Sequence, residues 1–143
     1  MKRQSGITLI ELLVVLAVIA ILSAVAYPSY ISYILRSNRT DAYQALLRCA
    51  TDQERWFTAN NTYLTDAAAQ SNGRCGTVVA SVLNSPEAHY QLAITNPGCV
   101  SGGAASCFTV TATAVGNQAD DTACPTLTID ENGLQLPATC WKK

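Results

Sequence analysis

The chain has 143 residues, a formal net charge of −1 and 49% hydrophobic residues. Ten acidic and nine basic side chains leave no excess positive charge, so there is no bulk electrostatic case for nucleic-acid binding. The length fits one ordinary domain, and there is no basic tail, low-complexity tract or internal repeat.

The N-terminal thirty residues are the most informative. Lys2 and Arg3 precede an apolar run from Ile7 to Tyr27, and no Lys or Arg follows until Arg36. A run of that length spans a bilayer, which takes roughly 20 residues. The positive-inside rule keeps the N-terminus cytoplasmic and sends the rest outward. The expected division is a leader at 1–6, a membrane and assembly segment at 7–29 and an exported globular domain at 30–143. Glu11 interrupts the apolar run. A charge at membrane depth costs at least ~2.5–3.5 kcal/mol on insertion scales, and a simple anchor has no use for one. A secretory signal would have a shorter apolar core, about 7–15 residues, and a small-residue cleavage site. Glu11 therefore points to a helix that leaves lipid and packs against copies of itself.

The stretch Gly6-Ile7-Thr8-Leu9-Ile10-Glu11-Leu12-Leu13-Val14-Val15-Leu16 and its apolar continuation resemble the start of type IV pilins and pseudopilins. The resemblance implies that a prepilin peptidase cuts between Gly6 and Ile7 and methylates the new amine. Glu11 is then the fifth mature residue, and Ile7 stands where the family usually has Phe. In a fibre, the Glu11 carboxylate of one subunit would pair with the Ile7 amine of a neighbour. Such a pairing compensates a buried charge and fixes register, because removing one partner of a buried pair is strongly penalised.

Helical character continues outward. Pro28 is expected to kink the helix, since it removes a donor and crowds the preceding turn. Ile31, Leu35, Ala42, Leu46, Cys49, Gln53 and Trp56 recur at helical spacing and mark one inward face. No Gly interrupts from Ile7 to Thr58, so the helix would be roughly 75 Å long at 1.5 Å per residue. Asn60-Asn61-Thr62 ends it with turn chemistry. From Asn60 to Pro86 the composition reads as a surface loop with one short helix or strand. Tyr90–Thr95 and Phe108–Val115 alternate as half-buried strands, separated by a break at Asn96-Pro97-Gly98 and a loose tip at Ser101-Gly102-Gly103. Thr126–Asp130 is a third strand. Asn132-Gly133 turns it into a short fourth, Leu134–Leu136. This order of elements predicts an α+β fold, a long N-terminal helix packed on a C-terminal antiparallel sheet, and resembles the type IV pilin fold.

All six cysteines, Cys49, Cys75, Cys99, Cys107, Cys124 and Cys140, fall on the exported side and read as a disulfide set. Zinc is a poor alternative: there is no Cys-x-x-Cys pair, and His89 is the one histidine. Sequence leaves many connectivities open. Cys49 lies on the inward helix face, which favours Cys75 in the segment folded over it. Cys99 and Cys107 flank one hairpin loop. Cys124 and Cys140 bracket the last hairpin, and the resemblance to pilins, which commonly close this region with one bridge, implies their pairing.

Removing Glu11 from the ten acids leaves nine, and removing Lys2 and Arg3 from the nine bases leaves seven, so the exported part is mildly acidic. His89 reads as a strand-edge histidine, Asp120-Asp121 as a solvated loop rather than a Ca²⁺ cage, and Asn38-Arg39-Thr40 as helix rather than a glycosylation site. Trp56, Phe57 and Trp141 read as core or subunit-contact aromatics. Nothing implies a cofactor, a metal or an enzyme. Ala50–Phe57, Asn61-Thr62-Tyr63 and Leu127–Asp130…Gly133…Cys140-Trp141 resemble PilE-like and ComP-like pilins of Gram-negative bacteria. The implied role is a major or minor subunit of a type IV pilus serving adhesion, twitching motility or DNA uptake. It would be stored in the inner membrane with its globular domain periplasmic and then assembled into an extracellular fibre. Its partners would be other pilins, the prepilin peptidase, the inner-membrane assembly platform and the membrane. The first alternative is a DNA-binding minor pilin for transformation, with Arg74, Lys142 and Lys143 as the contacts outside the helix. The second is a type II secretion pseudopilin. A resemblance to the major pseudopilin would bring a Ca²⁺ loop and few cysteines, the opposite of this chain.

Overall fold

The computed structural model describes residues 7–96, 100–101 and 104–141. The chain divides into two compact units, Met1–Ile34 and Leu35–Lys143. Helix α1 covers Leu9–Asn60 and contains Pro28. It is long and apolar enough to cross a membrane. In the first unit its apolar side chains are exposed, from Leu9 and Ile10 through Ile21, Leu22 and Val25. Among the described residues of that unit, nothing covers them.

The second unit is built on the rest of α1. There the helix buries Asp41, Ala42, Ala45, Leu46, Cys49 and Gln53, the face that the three-and-four spacing predicts from Ala42 onward. The helix ends at Asn60. Asn61 takes φ 54°, a conformation that Asn tolerates, and its N–H bonds the Phe57 carbonyl at 2.7 Å.

The expected loop from Asn60 to Pro86 is more ordered than its composition suggests. Helix α2 covers Asp66–Asn72, with Thr65 as N-cap and Gly73 at φ 61° as C-cap. Strands β1 (Thr77–Val79) and β2 (Val82–Asn84) form a hairpin. Its turn residues, Ala80 and Ser81, both have positive φ without the Asn or Gly that usually announces such a turn. Gly76 is required by space, because a Cβ there would lie 2.7 Å from the Asn84 carbonyl oxygen.

The remaining strands are β3 (Tyr90–Thr95), β4 (Val100–Ser101), β5 (Ala104–Ala105), β6 (Thr109–Ala114), β7 (Thr126–Asp130) and β8 (Gln135–Leu136), with a 3-10 turn at Gly116–Asp120. The main sheet is antiparallel in the order β1-β2-β3-β6-β7-β8, and β4 and β5 pair separately. That pair flanks the expected loose tip, of which Gly102 and Gly103 lie outside the described residues. Tyr90, Leu92 and Ile94 are buried on β3 and alternate with exposed neighbours. They pair with Ala114, Ala112 and Val110 on β6. Small alanines opposite large side chains keep the inner layer level. Leu46, Leu64, Leu83, Phe108, Val110 and Leu127 are fully buried in this core, each worth ~1.5–3 kcal/mol over exposure.

Disulfides join Cys49 to Cys75 and Cys124 to Cys140. The first ties the helix to the segment after α2; the second closes the C-terminal region around β7 and β8. The expected Cys99–Cys107 pairing involves Cys99, which lies outside the described residues; Cys107 is buried.

Candidate functional site

Three groups of side chains were singled out for function: the start of α1, the cysteines and a small basic set. Glu11 is exposed near the start of α1. Its Oε2 accepts from the Thr8 N–H at 3.4 Å and the Thr8 hydroxyl at 3.3 Å, while the Glu11 N–H donates to Thr8 Oγ1 at 3.3 Å. This is a reciprocal capping box, with two of the helix's unpaired donors satisfied by side chains. The Thr-x-x-Glu spacing stands in the sequence, and the structure gives Glu11 this capping role beside its expected one in assembly. Gly6 lies outside the described residues.

The helix also carries polar side chains that fasten loops to it. Arg39 makes a two-pronged bond to Asp121, with Nε to Oδ2 at 2.7 Å and Nη2 to Oδ1 at 2.8 Å. Asp121 is 5% exposed, so the expectation of a solvated Asp120-Asp121 loop is corrected for Asp121. Burial is tolerated because the guanidinium neutralises the carboxylate and fills its lone pairs. The same bond raises the Arg39 pKa. Beside it, the buried Gln118 amide nitrogen reaches the Leu35 carbonyl and the Tyr90 hydroxyl at 3.0 Å each. Burial pushes Tyr90 up to about 12.

Two further side chains act in the same way. Asp41 accepts the Ser85 hydroxyl and the Glu87 N–H, pinning the β2–β3 turn. Gln53 holds both backbone groups of Leu64, donating from Nε2 at 3.2 Å and accepting at Oε1 at 2.8 Å. Near it, Tyr63 donates to Glu54 at 3.0 Å, and burial together with that bond raises Tyr63 to about 12.

Sequence reasoning placed Gln53 inward but missed Arg39 and Asp41. The signal for Arg39 was its spacing, seven residues before Leu46 and fourteen before Gln53, which keeps all three on one face. Nothing local marks Asp121 as the partner, because the pairing spans 82 residues.

Among the basic set, the Arg74 guanidinium lies 5.5 Å over the Trp56 ring, within cation–π range. Lys142 and Lys143 lie outside the described residues. Trp141 just before them stacks on Tyr43 with centroids 5.0 Å apart and donates to the Leu136 carbonyl, while the Tyr43 hydroxyl donates to the Cys140 carbonyl. Phe57 stacks on Tyr63. These aromatics serve packing first. His89 contributes its carbonyl to the Val115 N–H. Among the described residues no group of three or more His, Cys, Asp or Glu is placed to hold a metal ion. The geometry fastens the loops of the globular unit to α1.

Comparison with known proteins agrees. Residues 28–128 match the family described as type IV minor pilin ComP, DNA uptake sequence receptor. Residues 1–27 match the prokaryotic N-terminal methylation motif. The fold is similar to a solved type IV pilin from Shewanella oneidensis, with a TM-score of 0.52 and 28% identity over 76% of this chain and 99% of that one. No curated protein sequence matches the chain.

Proposed function

Because this chain belongs to the family of type IV minor pilins described as ComP, DNA uptake sequence receptor, we propose that, as a subunit of a type IV pilus, it captures DNA on the fibre surface. The observation that carries this reading is the reach of the family match. It covers 28–128, and so rests on the globular part and not only on an N-terminus that many exported fibre proteins share. The apolar helix and prepilin motif go with membrane anchoring followed by assembly. In the proposed course, the leader is cut between Gly6 and Ile7 in the inner membrane, with the globular unit periplasmic. The new amine is methylated, and an assembly platform then draws the subunit into the fibre. Glu11 pairs with a neighbouring Ile7 amine, and Pro28 marks the bend between the membrane and outer parts of α1.

For DNA, the local candidates are Arg74 over Trp56 and the C-terminal Lys142 and Lys143. A cation over an aromatic ring can meet a phosphate while the ring offers a face or edge to a sugar or base. The exported part is mildly acidic, so contact has to be local and not a general attraction. The test is fluorescence anisotropy of labelled duplex DNA with the processed full-length chain in detergent, across a salt series. Arg74→Ala and the double variant Lys142→Ala/Lys143→Ala are expected to weaken binding, each lost phosphate contact reducing the salt slope by about 1. Absent or salt-independent binding would contradict the proposal.

A further inference from the structure

We propose that a cleft on the globular unit docks this chain onto a different pilin in the fibre, by taking a lysine or arginine side chain from that neighbour. The inference rests on the pilus-subunit reading. The cleft, about 270 Å³, lies between the outer part of α1 and the turn joining β7 to β8. Leu47 forms its helix wall, Phe108 and Ile129 its floor, and Glu54, Asp130 and Glu131 bring three carboxylates to it. Leu47 stays 47% exposed, and Leu134, the residue after Gly133 of the lining, 54%. Open apolar side chains with polar groups around them have the makeup of a protein–protein contact, an apolar centre inside a polar rim.

Charge selects the occupant. No Lys or Arg lines the cleft. Arg55 adjoins Glu54 in the chain and Arg48 lies three residues before Thr51 of the lining, yet among the described residues neither forms an ion pair with a cleft acid. Each carboxylate accepts neutral donors: Glu54 from Tyr63, Asp130 from the Asn132 and Leu134 N–H groups, and Glu131 from the Asn132 amide. Those bonds occupy lone pairs but leave the charge uncompensated. A simple cation would answer the carboxylates and leave the apolar floor uncovered. A lysine or arginine answers both, with a long apolar stem and a cationic head. The family match decides whose side chain it is. A minor pilin is outnumbered in the fibre, so the subunits beside it are other pilins. Complementary charge at such a contact fixes partner and register more than it adds affinity, so the cleft sets which neighbour this chain sits against.

The test uses the full chain in its native host, with a photoreactive benzophenone amino acid placed at Leu47 or, separately, at Thr51. Sheared fibres are irradiated and the linked peptides sequenced by mass spectrometry. The proposal expects links to one segment of a different pilin, with a Lys or Arg within a few residues of the linked position. The double variant Glu54→Gln/Glu131→Gln keeps an acceptor oxygen at each site and removes two charges. It should leave the melting temperature of the chain unchanged and lower its yield in fibres several-fold. Glu131→Lys should lower the yield further, and a Glu in place of the linked pilin's cation should restore it. Links only within the chain, only to a second copy of it, or only to a segment without a cation would each overturn the proposal. So would no links while the benzophenone chain is present in fibres, or an unchanged yield for the charge variants. Absence of the unsubstituted chain from fibres would overturn the pilus-subunit reading itself, and this contact with it.

Discussion

Arg39 and Asp121 hold the 3-10 turn and the chain after it to the helix at a site that the core screens from water, with side chains 12% and 5% exposed. Removing one partner leaves the other charge buried, a change that costs roughly 3–5 kcal/mol where burial is complete. The partial exposure of Arg39 places Arg39→Ala near the lower end, about 3 kcal/mol. Urea unfolding of the purified chain measures it; a loss under about 0.5 kcal/mol, the level of an ordinary surface change, would show that the pair is structurally idle. This residue also marks a limit of reading sequence alone. With the other charged residues of α1, Arg39 reads as lying mostly off the inward face, and only the folded path of the β6–β7 connection brings Asp121 to it. Glu11 stands at the other extreme. A lone acid in an apolar run is legible at once, whereas its capping bonds to Thr8 emerge only from the structure.

At the scale of elements, the long helix and strands β3, β6 and β7 were legible because each has a strong period or a marked turn. Asn60-Asn61 stops α1, and Asn132-Gly133 turns β7 into β8. The β1–β2 hairpin was not legible. It turns through Ala80 and Ser81, which carry no turn signature, and Val78 and Val79 are both exposed, so no alternation announces β1. Helix α2 had its caps in plain view, Thr65 and Gly73, but seven residues give too little periodicity to outweigh the polar composition around them. This whole segment is fastened to α1 by Gln53 and by the Cys49–Cys75 bridge. The double variant Cys49→Ala/Cys75→Ala should therefore cost ~2–5 kcal/mol, and hydrogen exchange should rise first at α2, β1 and β2 while β6 and β7 stay protected. Uniform loss of protection would contradict this division.

For the whole molecule, two compact units share one helix, and each has its own physical task. The globular unit buries its core and exports a surface. The N-terminal unit leaves its apolar helix uncovered, which is tenable in water only if lipid or other helices cover it. Glu11 makes the helix-bundle destination the more economical one. In the single chain its carboxylate turns to Thr8, and in the proposed fibre it meets the Ile7 amine of a neighbour. The apolar helix, its acid and a disulfide-bonded globular part were all legible in the sequence.

The central claim is that this chain is a processed subunit of a type IV pilus, and its most direct test is mass spectrometry of sheared surface fibres, on intact protein and after non-reducing digestion. The account predicts a chain beginning at N-methylated Ile7, with Cys49–Cys75 and Cys124–Cys140 linked peptides. Absence from the fibres, with Met1–Gly6 still attached to the protein in the membrane fraction, would contradict it.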